Sequence, residues 1–277
     1  MSKCIFQAVY TCWVAEHPEP IGTIEFLGGA LFGSLPNVSY SYFLNYFYDR
    51  GYTIVTAPFR LGLNHEQIAR EIHSDRQRVF DTLKPVHLDL PRYWIGHSLG
   101  CKYIILLETA GEAEGTEFFL KDQPSILIAP DMSDTYDAVK IGIVAQYLDD
   151  IGQGVNPNRA ATKAKLAASK RFNLTAVISF DRDDIAGTQQ QTPEEPDFSD
   201  VALITNLLEQ RPSGSLFKTE LTNCQHLEPV GVKIIQADGS VALLDLDLAD
   251  GILESVIDRT LEPQVLIDLK RLTQKMS

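Results

Sequence analysis

Trp94-Ile95-Gly96-His97-Ser98-Leu99-Gly100-Cys101 is the segment of this chain with the clearest structural signature. Its apolar start predicts a buried strand, and the mostly apolar residues 102–108 that follow predict a helix. Gly96, Ser98 and Gly100 form the pattern Gly-x-Ser-x-Gly, which between a strand and a helix is typical of a nucleophile elbow. The segment therefore makes Ser98 a candidate nucleophile at the edge of a sheet.

Two interpretations of this turn are open on these residues alone. In the functional one, Gly96 and Gly100 lack Cβ atoms and let the turn close, and the Leu99 N–H at the helix start binds a developing oxyanion. In the other, the segment is a strand-to-helix turn that contains a serine by chance. The structural context has to decide between them.

The composition indicates one large globular domain. The chain has 277 residues, of which 44% are hydrophobic, enough for a sizeable core in a single domain over residues 1–277. Asp and Glu number 37 against 24 Lys and Arg, and a net charge of −13 repels phosphate backbones. Nucleic-acid binding is therefore not expected.

The cysteines and the N-terminus indicate a cytoplasmic protein without a metal or cofactor. Cys4, Cys12, Cys101 and Cys224 lack the spacing of a zinc site or a disulfide framework, which fits free thiols in a reducing compartment. The first residues have no signal-peptide core, and no run of about 18 apolar residues would span a membrane. Peripheral contact with a membrane stays open.

The order of the predicted elements indicates an α/β fold. Up to residue 108 the order is β-β-α-β-α-β-α, which favours a mainly parallel sheet covered by helices on both faces. The predicted strands cover residues 5–14, 21–27, 52–58, 93–95, 124–130, 174–180 and 216–221. The predicted helices cover residues 39–50, 64–84, 102–108, 200–210 and 248–273, and a hairpin is expected at 232–235 and 241–244.

A glycine-containing loop follows the predicted strand 21–27. It runs from Gly28 to Gly33, and glycines directly after a strand let backbone N–H groups approach a ligand closely. By position, the Ala30 N–H is predicted as the second oxyanion donor beside that of Leu99. A turn that only connects two elements is the alternative.

The alternation of strands and helices breaks after residue 130. Residues 131–172 predict a helical cap, or lid, that begins with a helix over 134–149. The second half of the cap is basic and contains no Asp or Glu; its charged residues are Arg159, Lys163, Lys165, Lys170 and Arg171. A solvated helix face is the favoured interpretation, and a surface that attracts an anionic substrate is the alternative.

Carboxylates and a histidine follow the last two strands of the predicted sheet. The candidates for the acid are Asp183, which is preferred, and its neighbours Asp181 and Asp184. His226 follows the final strand, and the carboxyl ends of parallel strands meet at one edge of the sheet. The chain order Ser98, Asp183, His226 is the order of α/β-hydrolases.

These residue types supply the parts of nucleophilic catalysis. A serine attacks once a base takes its proton, histidine can be that base near neutral pH, and a carboxylate holds the imidazole in the correct tautomer. His97 lies inside the elbow and is expected to point away from Ser98. The remaining histidines lie in or near helices or in other loops: His17, His65, His73 and His87.

The sequence also resembles a known family at these positions. Residues 26–30, 96–100 and 223–229 resemble those of DUF1350, a family of α/β-hydrolase-like proteins of cyanobacteria and plastids. The resemblance implies the α/β-hydrolase fold, an esterase-like activity and the plastid stroma as a second location; the stretch around Asp183 is similar to the Asp-x-Asp-Pro stretch of α/β-hydrolases. One departure is Gly28, where many hydrolases have the histidine of a His-Gly pair.

Two functions of different classes follow. The first is a serine hydrolase that cleaves a small-molecule ester or thioester through an acyl-serine intermediate. The second is a catalytically silent α/β-hydrolase fold used for binding or as a scaffold, since a fold does not fix a function. The complete set of Ser98, Asp183 and His226 favours the first; the sequence makes no prediction of oligomeric state.

Overall fold

The structure is a computed structural model, and its description covers most of the chain. The described residues are 4–84, 87, 89–114, 122–132, 154–190, 199–212, 214–235, 241–245 and 259–276. The predicted cap helix over 134–149, with its stripe of Val139, Ile143 and Tyr147, lies outside these residues. The single domain with a cap over about 131–172 therefore stays a prediction.

Eight strands form one mostly parallel sheet. They are β1 (Gln7–Val9), β2 (Cys12–Ala15), β3 (Gly22–Leu27), β4 (Tyr52–Thr56), β5 (Arg92–His97), β6 (Ser125–Ile128), β7 (Thr175–Phe180) and β8 (Leu216–Leu221). Their order across the sheet is β1-β2-β4-β3-β5-β6-β7-β8. The pairs from β4 to β8 are parallel, and only β1 and β2 run antiparallel to their neighbours. The predicted mainly parallel sheet is confirmed.

Two groups of helices pack on this sheet. The described helices are α1 (Pro36–Ser39), α2 (Ser41–Tyr48), α3 (His65–Thr82), α4 (Leu99–Glu114), α5 (Arg159–Ala168), α6 (Asp200–Leu208) and α7 (Leu261–Met276). Helix α4 packs between α3 and α5, whereas α7 contacts α2 and β6. Helix α3 begins as the sequence predicts, because the Asn64 side chain accepts the Gln67 N–H at 3.0 Å.

Three predicted elements differ from the observed ones. Residues 5–14 were expected to form one strand, which is wrong: the backbone reverses at Tyr10, whose φ of 54° is left-handed, and β1 pairs with β2 as a hairpin. The aromatic helix over 39–50 is divided at Tyr40, whose φ of −112° and ψ of 23° leave the helical region. The last described helix begins at Leu261; residues 248–258 lie outside the description.

The two remaining strands form the hairpin that the sequence predicts. They are β9 (Gly231–Ile235) and β10 (Val241–Asp245), and they pair antiparallel. The four cysteines are free thiols. Among the helices of the described ranges, none has the length and apolar character that crossing a bilayer would take.

Part of the basic segment contributes to the packing of the fold. Arg159 Nε lies 2.9 Å from Asp200 Oδ1, and Lys165 Nζ lies 3.8 Å from Glu66 Oε2. Helix α5 turns Thr162 and Leu166 into the core and contacts α4. Two of the five basic residues are thus paired with carboxylates of the fold. This favours the interpretation of the segment as a solvated helix face over that of a surface for an anionic substrate.

Helix α4 carries a buried carboxyl group at Glu108, which is 1% exposed. Its Oε1 accepts the Gln123 N–H at 3.2 Å, and its Oε2 has no hydrogen-bond partner among the described residues. Burial raises the pKa of Glu108 from 4.5 to about 7, against the opposing effect of the Gln123 hydrogen bond. The folded protein therefore binds this proton more tightly than the unfolded chain does.

We expect this proton to make stability fall as pH rises. The stabilisation is fully present below the unfolded pKa and is lost through about pH 7, so the free energy of unfolding should fall by on the order of 1–3 kcal/mol between pH 5 and pH 8. Urea denaturation at both pH values measures it. Between the two pH values, Glu108→Gln should lose less stability than wild type by about this amount, because the other buried groups, such as Asp200, contribute equally to both proteins. Glu19→Gln, at an exposed site, should match wild type; equal falls in all three proteins would contradict the assignment.

Candidate active site

The candidate residues follow three strands of the parallel part of the sheet. Ser98 directly follows β5, Asp183 lies three residues beyond the end of β7, and His226 lies in the loop after β8. Because these strands are parallel, their carboxyl ends open at the same edge of the sheet. Residues that are far apart in the sequence therefore converge above β5 to β8.

The three side chains are in hydrogen-bond contact. His226 Nε2 lies 2.8 Å from Ser98 Oγ, and His226 Nδ1 lies 2.8 and 3.0 Å from the two carboxylate oxygens of Asp183. All three are buried, with exposed fractions of 6% for Ser98, 5% for His226 and 4% for Asp183. At these distances a proton can pass between the serine and the histidine while the carboxylate holds the ring.

The geometry separates Asp183 from its two acidic neighbours. Asp183 Oδ1 also accepts the backbone N–H groups of Ile185 and Ala186, each at 2.9 Å, which fixes the carboxylate. Asp181 and Asp184 are exposed. Asp181 accepts the Cys224 N–H at 3.2 Å, and backbone hydrogen bonds of this kind hold its pKa below the usual value. Of the three, Asp183 is the one that contacts His226.

The backbone of the turn at Ser98 is strained. Ser98 has a φ of 53°, in the left-handed region that a non-glycine residue rarely adopts. Its N–H donates to the Ile128 carbonyl at 3.0 Å, which ties the turn to β6. A Cβ atom at Gly100 would lie 2.2 Å from the Leu27 carbonyl oxygen and 2.6 Å from that of Gly28, so position 100 admits only glycine.

Both predicted oxyanion donors belong to segments that adjoin Ser98. Leu99 opens helix α4, where the first backbone N–H groups have no partner within the helix. A Cβ at Gly29 would lie 3.2 Å from Ser98 Cβ, so the loop that contains Gly29 and Ala30 borders the serine. The Gly29 N–H donates to Tyr40 Oη at 2.7 Å; within the described ranges, the Ala30 and Leu99 N–H groups have no backbone acceptor.

The His97 side chain has two hydrogen-bond partners, and neither of them is Ser98. Its Nε2 lies 2.8 Å from the carbonyl oxygen of His226, and its Nδ1 lies 2.8 Å from Tyr40 Oη. Burial and the neighbouring His226 hold the pKa of His97 well below its usual value, so this ring stays neutral. The contact with Tyr40 was not predicted from the sequence, because Tyr40 was assigned to the aromatic helix over residues 39–50.

A pair of buried carboxylates lies behind the elbow and was also missed from the sequence. The Asp131 N–H donates to the Ser98 carbonyl at 3.4 Å, and the Asp200 carboxylate accepts the Met132 N–H at 2.7 Å. Burial raises the pKa of Asp200 to about 7; Arg159 opposes this rise and Asp131 adds to it.

No set of three or more His, Cys, Asp or Glu within the described parts of the chain could hold a metal ion.

Comparison with known proteins assigns the family. The family model described as "Protein of unknown function (DUF1350)" matches residues 6–240. The chain belongs to the DUF1350 family. Among curated proteins, none matches this DUF1350 chain.

Solved structures confirm the fold of this DUF1350 protein. An esterase of the archaeon Pyrobaculum calidifontis is 13% identical, over 96% of this chain and 81% of its own, with a TM-score of 0.57. Carboxyl esterase 2 of the fungus Tuber melanosporum is 11% identical, over 95% and 80%, with a TM-score of 0.56. An esterase of Thermogutta terrifontis is 11% identical, over 82% and 81%, with a TM-score of 0.51. At these identities the similarity shows the α/β-hydrolase fold alone.

We expect Gly100→Ala to destabilise this DUF1350 protein severely. The new Cβ would overlap two backbone carbonyl oxygens, which cannot move without shifting β3 or α4, so the free energy of unfolding should fall by roughly 3 kcal/mol or more. Urea denaturation measures the loss. Gly62→Ala is the matched control, because its Cβ would meet only the tip of Ile68 at 3.3 Å; equal effects of the two substitutions would contradict the tight approach at Gly100.

Proposed function

We propose that this protein is a serine hydrolase that cleaves a carboxylic ester or thioester through an acyl-serine intermediate. The observation that carries the proposal is the line of hydrogen bonds from Ser98 through His226 to Asp183, with closest distances of 2.8 Å at both steps. A serine hydroxyl is a weak nucleophile until an adjacent base takes its proton, and this contact supplies the base. Three buried polar groups stand in this order, and the serine among them has a strained backbone conformation; this favours catalysis over binding.

Acylation moves one proton from Ser98 to His226 and then from His226 to the leaving group. Ser98 Oγ forms a bond to the substrate carbonyl carbon while its proton passes to His226 Nε2. Asp183 accepts the Nδ1–H of the same ring and stabilises the imidazolium. The bond from the carbonyl carbon to the alcohol oxygen or thiol sulfur then breaks, and His226 gives the proton to that leaving group. Water repeats the sequence on the acyl-serine, which releases the carboxylic acid and restores Ser98.

The negative oxygen of the tetrahedral intermediate is proposed to lie between the N–H groups of Leu99 and Ala30. The Leu99 N–H belongs to the N-terminus of α4, the positive end of the helix dipole. The Ala30 N–H belongs to the loop that borders Ser98. Both donors belong to the backbone of closely packed segments, so little reorganisation is needed when the charge develops.

An ester is the favoured substrate class. The similar structures from Pyrobaculum calidifontis, Tuber melanosporum and Thermogutta terrifontis are named as esterases, which supports the same bond type here. A thioester reacts through the same steps with a better leaving group, so both classes are kept in the test.

A fluorophosphonate probe and a set of esters and thioesters of graded acyl length test the nucleophile. Wild type should be labelled at Ser98 and should hydrolyse at least one member of the set. Ser98→Ala should lose the label and at least about 10³-fold in kcat. Ser74→Ala, at an exposed position of α3, should match wild type. A folded wild type that neither labels nor hydrolyses would leave the binding or scaffold function in its place.

Substitution of the acid tests the role of Asp183. Asp183→Asn should keep the fold and lower kcat about 10⁴-fold, because the amide no longer holds the imidazole in the required tautomer or stabilises its charge. Asp181→Asn and Asp184→Asn change exposed carboxylates and should stay within about threefold of wild type. Full activity in Asp183→Asn, with loss in either neighbour, would overturn the assignment.

A further inference from the structure

We propose that Tyr40 and His97 are positioning residues that lock the oxyanion loop and the catalytic histidine loop onto the elbow. This inference rests on the proposed function, since it explains how the groups of that site are held. Neither side chain hydrogen-bonds to Ser98 Oγ or to the ring nitrogens of His226, although the His97 ring lies 5.1 Å from the His226 ring, centroid to centroid. Each acts through a backbone group, Tyr40 through Gly29 and His97 through His226.

Three hydrogen bonds form one continuous path. The Gly29 N–H donates to Tyr40 Oη at 2.7 Å, Tyr40 Oη lies 2.8 Å from His97 Nδ1, and His97 Nε2 lies 2.8 Å from the His226 carbonyl oxygen. The path therefore begins in the loop after β3, crosses the last residue of β5 and ends in the loop after β8. It joins the two loops that adjoin Ser98.

The direction of every bond in the path follows from its last acceptor. A carbonyl oxygen only accepts, so His97 Nε2 carries the proton. In a neutral imidazole Nδ1 is then an acceptor, and Tyr40 must donate its O–H to it. The Tyr40 oxygen is left to accept the Gly29 N–H, as observed. One protonation state satisfies all three bonds, with no donor or acceptor opposed to another of its kind.

Burial keeps the path in this one state. Tyr40 is 0% exposed and His97 is 1% exposed. Burial raises the pKa of the Tyr40 hydroxyl far above its usual value and lowers that of His97. Both side chains are therefore uncharged at neutral pH, and each hydrogen bond of the path keeps its direction there.

Tyr40 also explains the departure from the usual hydrolase sequence at position 28. A Cβ atom at Gly28 would lie 2.6 Å from Tyr40 Cε2 and 3.1 Å from Tyr40 Cζ. The tyrosine ring thus fills the space that a side chain at position 28 would occupy. Tyr40 itself lies between α1 and α2, where its backbone leaves the helical region.

The expected consequence is a loss of rate without a loss of substrate binding. Tyr40→Phe keeps the ring that fills the space at Gly28 but leaves the Gly29 N–H and His97 Nδ1 without their partner. Displacements of about 1 Å in catalytic groups cost on the order of 10²-fold in rate. We therefore expect Tyr40→Phe to lower kcat by roughly 10- to 100-fold, with KM within about twofold of wild type.

Tyr103→Phe is the matched control. Tyr103 is as deeply buried as Tyr40, but its hydroxyl has no hydrogen-bond partner among the described residues, so the same change removes no bond. Its kcat and KM should stay within about twofold of wild type.

Two variants of His97 separate its contact with the His226 carbonyl from its contact with Tyr40. The amide nitrogen of the longer side chain in His97→Gln reaches toward the His226 carbonyl, so this variant should retain more activity than the shorter His97→Asn.

Nuclear magnetic resonance supplies a readout that needs no substrate. In wild type, the ¹⁵N shifts of His97 should show Nε2 protonated and Nδ1 unprotonated. The low-field proton resonance of His226 Nδ1–H, which reports its contact with Asp183, should shift or broaden in Tyr40→Phe and stay unchanged in Tyr103→Phe. Thermal unfolding of each variant verifies that it is folded.

The outcomes distinguish this inference from the proposed function. Equal kcat in Tyr40→Phe and Tyr103→Phe, in an active enzyme, overturns the positioning role alone. A proton on His97 Nδ1 in wild type overturns the path whatever the activity. A wild type that is inert toward every probe overturns the proposed function; an unchanged His226 resonance in Tyr40→Phe would then overturn this inference as well, and a shifted one would support it.

Discussion

The close approach of helix α4 to the loop after β3 is the constraint on which the rest of the site depends. Gly100 lies against the carbonyl oxygens of Leu27 and Gly28, at a distance that no side chain would allow. This contact brings the helix start and the loop that contains Gly29 and Ala30 next to Ser98. The left-handed backbone of Ser98 then follows, since the chain has to turn from β5 into α4 within one residue.

The parallel sheet supplies the remaining groups. Strands β5 to β8 are adjacent and run in one direction, so the loops after β5, β7 and β8 meet above the same edge. Asp183 is fixed by two backbone N–H groups and His226 by Asp183 and His97. Asp183 is thus fixed within its own loop and His226 by side chains from two other segments, which is what a preorganised site requires.

The sequence predicted the parts of this arrangement that depend on local pattern. The parallel strands and the α/β-hydrolase fold followed from apolar runs, glycines and chain order, and the structure confirms them, whereas the nucleophile elbow at Ser98 stays a prediction. Tyr10 and Tyr40 were misjudged because both reverse or interrupt an otherwise regular pattern at one residue, through backbone angles that composition does not reveal. The Tyr40–His97 and Asp131–Asp200 contacts join residues 57 or more positions apart, beyond the reach of any periodicity.

The Asp200 side chain links two separate segments of the chain. Its carboxylate accepts the Met132 N–H and pairs with Arg159, so one side chain joins Met132 to the start of helix α5. The entropy of closing a loop rises slowly with its length, by about 0.6 kcal/mol for each doubling. The intervening chain can therefore lengthen, shorten or change its composition at little cost to the scaffold.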